Sequence, residues 1–150
     1  MGATLSEVSL PLVRHAGAPL GEDAGALVRG LLAGMYPPEN RAERRREHRY
    51  PYPRLLLLHP VEADGITCAG PTLTAAGKQL SETGLSFFHP DPLPYRWVVA
   101  SLPRTDGGWI GFLMDLDWCR FTRQGWYESG GRFLRPVTAP AQVNATYPAA

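Results

Sequence analysis

Cysteine is scarce in this 150-residue chain: Cys68 and Cys119 are the only two, and they stand far apart. Neither they nor the four histidines, His15, His48, His59 and His89, fall at a metal-ligand spacing, so the thiols are read as structural and no metal is expected. Apolar runs are short, and none approaches the roughly 20 residues that span a bilayer. No basic stretch followed by an apolar one opens the chain, so no secretory signal is read. The opening MGATLS fits the myristoylation pattern formally, with Gly2 and Ser6 in place, but no other feature supports an anchor. A cytoplasmic protein with no membrane contact is the expectation. Excess charge is also missing: a net +1 argues against a general polyanion binder, and nucleic acid is not an expected partner. Catalytic patterns are absent too. No Ser/His/Asp order, carboxylate pair or phosphate-cradling glycine loop stands out, so neither an enzyme nor a cofactor is expected. Asp115 and Asp117 flank Leu116 and would share one face of a strand, read here as solvated.

What the chain does have is turn chemistry. With 15 Pro, 16 Gly and 44% hydrophobic residues, one domain of short strands is favoured over long helices. Acidic Glu22 and Asp23, followed by Leu27, Leu31, Leu32 and Met35 at helical spacing, predict one short helix over residues 22–36, stopped by Pro37-Pro38. Strands are predicted near residues 54–61, 72–80, 85–89, 95–102, 109–121 and 126–134. Between them lie turn signals such as Asp64-Gly65, Ser81 to Gly84, Asp106-Gly107-Gly108 and Gln124-Gly125. The expected division is a poorly ordered lead-in (1–20), the helix and a linker (21–42), a β domain with a basic arm (43–136) and a flexible tail (137–150). Trp97, Trp118 and Trp126 are read as core or rim packing.

Two features carry chemistry. The first is ERRREHRYPY, residues 43–52, with four arginines within six residues in a chain whose single lysine is Lys78. A charge run is ordinarily solvated, and exposed pairs with Glu43 or Glu47 would contribute about 0–1 kcal/mol. Arginine, however, has the planar fork that bonds phosphate oxygens or guanine O6/N7 in pairs and stacks on flat rings. The second is GKQLSETGLSFFHP, residues 77–90, where Ser81 and Gly84 bracket two polar residues between strand-like runs. By itself it reads as a β-turn with Gly84 supplying a positive φ.

Together the two features resemble the PilZ family of cyclic di-GMP receptors. Arg45-Arg46-Glu47-His48-Arg49 matches R-x-x-x-R, with Arg44 just ahead, and Gln79-Leu80-Ser81-Glu82-Thr83-Gly84 stands where [D/N]-x-S-x-x-G belongs. The likeness runs from about residue 43 to 135, through Trp118 in a penultimate strand and GWYESGGRFL in the last. It implies an all-β fold, a six-stranded antiparallel PilZ-like barrel preceded by the short helix and a mobile arginine-rich arm. It also implies a bacterial second-messenger receptor without catalysis. Arg45 and Arg49 would grip phosphates and guanine edges, Arg44 or Arg46 would add contacts, Ser81 would bond the ligand from the rim, and Gly84 would let the turn close. Gln79 departs from the family's Asp or Asn; a neutral acceptor there is expected to cost about 1–2 kcal/mol of ligand affinity. Two other readings stay open. One is a degenerate PilZ-like protein-interaction module with a downstream protein partner, and the other a small nucleic-acid-binding barrel.

Overall fold

The computed structural model describes residues 23–36 and 48–143. The lead-in, the linker at 37–42, Arg44, Arg45 and Arg46, and residues 144–150 lie outside them. Among the described residues one helix precedes the sheet: α1, Ala24–Ala33. Asp23 caps it, its Oδ1 accepting from the Ala26 N–H at 2.7 Å, which satisfies one of the amides that the first turn leaves without a partner. The helix ends at Gly34, three residues short of the predicted proline stop. A Cβ at Gly34 would stand 2.7 Å from Thr105 Oγ1, so only glycine fits where the helix end meets that turn, and Pro37 lies outside the described residues.

Seven strands follow among the described residues: β1 Tyr50–Pro51, β2 Leu55–Val61, β3 Leu73–Leu80, β4 Gly84–His89, β5 Trp97–Pro103, β6 Trp109–Phe121 and β7 Tyr127–Val137. All pairings are antiparallel, in the order β1-β3-β2-β5-β6-β7-β4. An additional β3–β4 pairing closes β2 to β7 into a six-stranded barrel and leaves β1 as an outer strand. The predicted all-β barrel with a preceding helix is the observed fold. Closure removes the open edges that would otherwise recruit another chain.

The central strands read as unbroken apolar runs because they are buried on both faces. Leu56, Leu58, Val98, Ala100, Phe112 and Met114 point inward and meet Leu80, Leu85 and Phe87 in the main core. Their neighbours Val61, Val99 and Leu113 form a second cluster outside the barrel with Val137. Val28, Leu31 and Leu32 of α1 belong to the main core, so the apolar helix face packs on the barrel.

The chain after β7 departs from the expected tail. Val137 is fully buried, Ala139 and Ala141 nearly so, and Pro140–Val143 forms a short helix, α2. A Cβ at Gly111 would meet Ala139 Cα at 2.7 Å, so a glycine in β6 is what admits this return over the outer face. Cys68 and Cys119 are free thiols. Among the described residues, no helix is long and apolar enough to cross a membrane.

His59, in the middle of β2, is 4% exposed and held between Thr72 Oγ1 at 3.1 Å and Ser101 Oγ at 2.9 Å. Burial pushes its pKa from 6.5 to about 3. Between those values the unfolded chain binds a proton that the folded chain refuses. Stability through this group is therefore complete above pH 6.5 and is lost as pH falls toward 3. Acidification from the upper value to about pH 5 should remove about 2 kcal/mol through His59 alone. Urea unfolding at stepped pH measures that slope, and His59→Gln should flatten it.

Candidate functional site

The two basic and polar features meet because β1 pairs with the end of β3. Tyr50 lies opposite Leu80 and Pro51 opposite Gln79, so Arg49 immediately before β1 arrives beside the β3–β4 turn. The Tyr52 N–H donates to Lys78 O at 2.9 Å and extends this register. Tyr36, just after α1, anchors the strand from the other side. Its hydroxyl donates to Pro51 O at 2.5 Å and its ring lies 5.5 Å from that of Tyr50. Tyr50 is buried in the core, which fixes where the arginine segment enters the barrel.

Arg49, Gln79, Ser81 and Gly84 line one hollow of about 200 Å³ with Thr83, Asp117, Trp118 and Arg132. Four predicted site residues are thus brought together, while Arg44 and Arg45 lie outside the described residues. Their local roles differ from expectation. Ser81 is buried, and its Oγ accepts from the Thr83 and Gly84 N–H groups at 3.2 and 3.1 Å. Its first role is to hold the turn. Gly84 lacks the expected positive φ; those values belong to Gly65, Gly107, Gly108 and Gly125. The need for glycine at 84 is contact, because a Cβ there would stand 2.3 Å from Gly131 O on β7.

The same close approach shapes the far wall. β6 and β7 shift register between Leu116 and Trp118, so Asp117 is an extra residue with no partner on β7. Such a bulge turns two consecutive side chains toward one side, and Asp117 and Trp118 both line the hollow. Strict alternation would have sent them to opposite faces. A Cβ at Gly130 would sit 2.5 Å from Trp118 Cζ2, so glycine gives the indole its seat across β7. The ring remains 42% exposed, a rim position with an open face.

Asp115 and Asp117 therefore part company, and the expected solvated pair does not form. Asp115 is buried, accepting from Arg96 Nε at 3.0 Å and from Arg132 Nη2 at 3.4 Å. The Arg96 hydrogen bond, opposed by burial and aided by Arg132, holds its carboxyl below the usual range. Asp115 in turn steadies Arg132 at the hollow. A second buried acid, Glu128, receives Lys78 Nζ at 2.7 Å and Arg120 Nη2 at 2.9 Å. Burial pushes Glu128 up, yet these two donors outweigh it and leave its pKa lowered.

The helix reaches the turn as well. Arg29 Nη1 of α1 donates to Glu82 Oε1 at 2.9 Å, with Arg29 more than half exposed, an ion pair that contributes at most about 1 kcal/mol. Arg132 escaped the sequence reading, and Asp117 entered it only as part of a solvated strand face. The only signal for Arg132 was the glycine pair ahead of it, which marks a close approach and not a site.

No family model matches the chain, and no curated protein or solved structure matches it either. What the chain can be said to be comes from its own geometry: a closed antiparallel barrel with a small polar hollow beside one hairpin turn.

Gly84→Ala should cost about 2 kcal/mol, since the added methyl must displace the β7 backbone at a crowded crossing. Thermal unfolding would register a midpoint several degrees lower, whereas Gly125→Ala, with open space around its Cβ, pays only for its left-handed backbone.

Proposed function

We propose that this barrel is a receptor for cyclic di-GMP and binds it at the hollow beside the β3–β4 turn. The observation that carries the reading is the β1–β3 pairing, which sets Arg49, the last residue of the first motif, against the Gln79 to Gly84 turn so that they line one site. The chemistry suits the ligand. Arg49 and Arg132 offer guanidinium forks to phosphate oxygens or guanine O6/N7. Trp118 offers an exposed indole face on which a purine can stack for about 1–3 kcal/mol. Gln79 supplies a neutral amide, and Ser81 keeps the turn in shape while its hydroxyl fronts the ligand.

A hollow of about 200 Å³ is small for engulfing a whole dinucleotide, so the ligand sits partly outside it. The reading gives Arg44 and Arg45 the task of covering that outer part, gripping phosphate and guanine as the arginine segment closes. Among the described residues the lining holds hydroxyls, an amide, guanidiniums and one carboxylate, but no imidazole or thiol. That composition favours recognition over group transfer.

A second reading, a protein-interaction module that no longer binds the nucleotide, has its own footing in Phe121 and Trp126. They are 64% and 45% exposed at the β6–β7 turn, at the other end of the barrel. Titration calorimetry separates the two. The receptor reading expects submicromolar to low-micromolar binding that Arg45→Ala or Arg49→Ala abolishes. Gln79→Asp should tighten it about tenfold by restoring a charged acceptor. A folded protein that gives no heat with cyclic di-GMP is the result expected of the interaction module. Binding to random DNA with a steep salt slope would instead point to a nucleic-acid barrel.

A further inference from the structure

We infer that Asp117 is the residue that reads the guanine edge in this chain, the charged acceptor that position 79 lacks. The inference rests on the cyclic di-GMP reading above and concerns which side chain selects the base.

The carboxylates of this barrel have, for the most part, identifiable occupations. Asp115 takes Arg96 and Arg132, Glu128 takes Lys78 and Arg120, Glu82 takes Arg29, and Asp106 takes Arg104. Asp23 caps α1 and Asp64 caps its own loop through the Ile66 and Thr67 amides. Glu62, Asp91 and Asp117 have no such side-chain hydrogen bond or ion pair among the described residues, and of the three only Asp117 lines the hollow, where Arg96 feels its charge. The bulge that frees it from β7 is the device that aims it there.

A carboxylate in a site for a phosphate-bearing ligand costs affinity unless it meets N–H donors. Guanine supplies them in a matched pair, N1–H and the 2-amino group, which one carboxylate accepts side by side. Adenine offers a lone pair at N1 and repels it. Hypoxanthine keeps N1–H and lacks the 2-amino group. Trp118, the next residue along, lines the same hollow, so one bulge presents a stacking face and an edge acceptor together. Arg49 and Arg132 line it too and are left for phosphate.

The test is a ligand series on the full chain by titration calorimetry: cyclic di-GMP, its hypoxanthine counterpart cyclic di-IMP, and cyclic di-AMP. The unmodified protein should bind the guanine ligand about tenfold more tightly than the hypoxanthine one and about a hundredfold more tightly than the adenine one. Asp117→Ala should bring the guanine and hypoxanthine affinities together, while Asp117→Asn, which keeps the shape but not the charge, falls between. Asp117 is exposed, and the series on the unmodified protein is decisive even if a variant misfolds. Equal affinity for guanine and hypoxanthine ligands, or an undiminished ratio in Asp117→Ala, overturns this role while Arg49-dependent binding leaves the receptor reading standing. Failure of the unmodified protein to bind any cyclic dinucleotide overturns both.

Discussion

The arrangement depends on how closely three backbones pass one another where β4, β7 and β6 cross. Gly84, Gly131 and Gly130 stand at that crossing, and a Cβ at Gly131 would lie 2.1 Å from Asp115 O. No side chain fits there, so the strands approach until only backbone separates them. β6 answers the approach by slipping one residue, and Asp117 is left over. The hollow, its turn and its tryptophan all follow from that crossing. A barrel with an alanine at any of these positions would have to open the crossing and lose the wall that Asp117 and Trp118 form.

Electrostatics hold the wall in place. Asp115 and Glu128 are buried acids, each held by two cations from different parts of the chain. Removing both cations of either acid would strand a buried carboxylate, which costs more than the exposed pairs elsewhere contribute. Lys78, the single lysine, is committed to Glu128 and to the face of Phe88, 5.6 Å from its ring centre. Arg49 faces the hollow, and Arg132 does both, lining the hollow while its Nη2 reaches Asp115.

Much of the strand pattern was legible in advance. The turn dipeptides and the apolar runs placed all six barrel strands within a few residues, because glycine and proline punctuate local structure strongly. β1 was missed, being only two residues long and containing a proline. The return of residues 137–141 onto the barrel was also missed, since alanine and proline carry no periodicity and only Gly111 makes room for them. In the site, Arg49, Gln79, Ser81 and Gly84 were named from the motif and do line one hollow. The reason given for Gly84 was wrong in kind: its φ is ordinary, and its crowding comes from a strand 47 residues downstream, Gly131.

By itself, then, the sequence determined the elements: where the six barrel strands lie to within a few residues, which arginines are concentrated, and that the described residues form strands with only short helices. These are local properties, set by period, turn chemistry and composition. Only the tertiary structure decided which side chains meet. Alternation predicts that Asp115 and Asp117 share a fate, but Asp115 is buried among arginines in regular register, and the slip just beyond it leaves Asp117 in the hollow beside Trp118. A bulge arises from the fit between two strands, and one strand's sequence does not contain it.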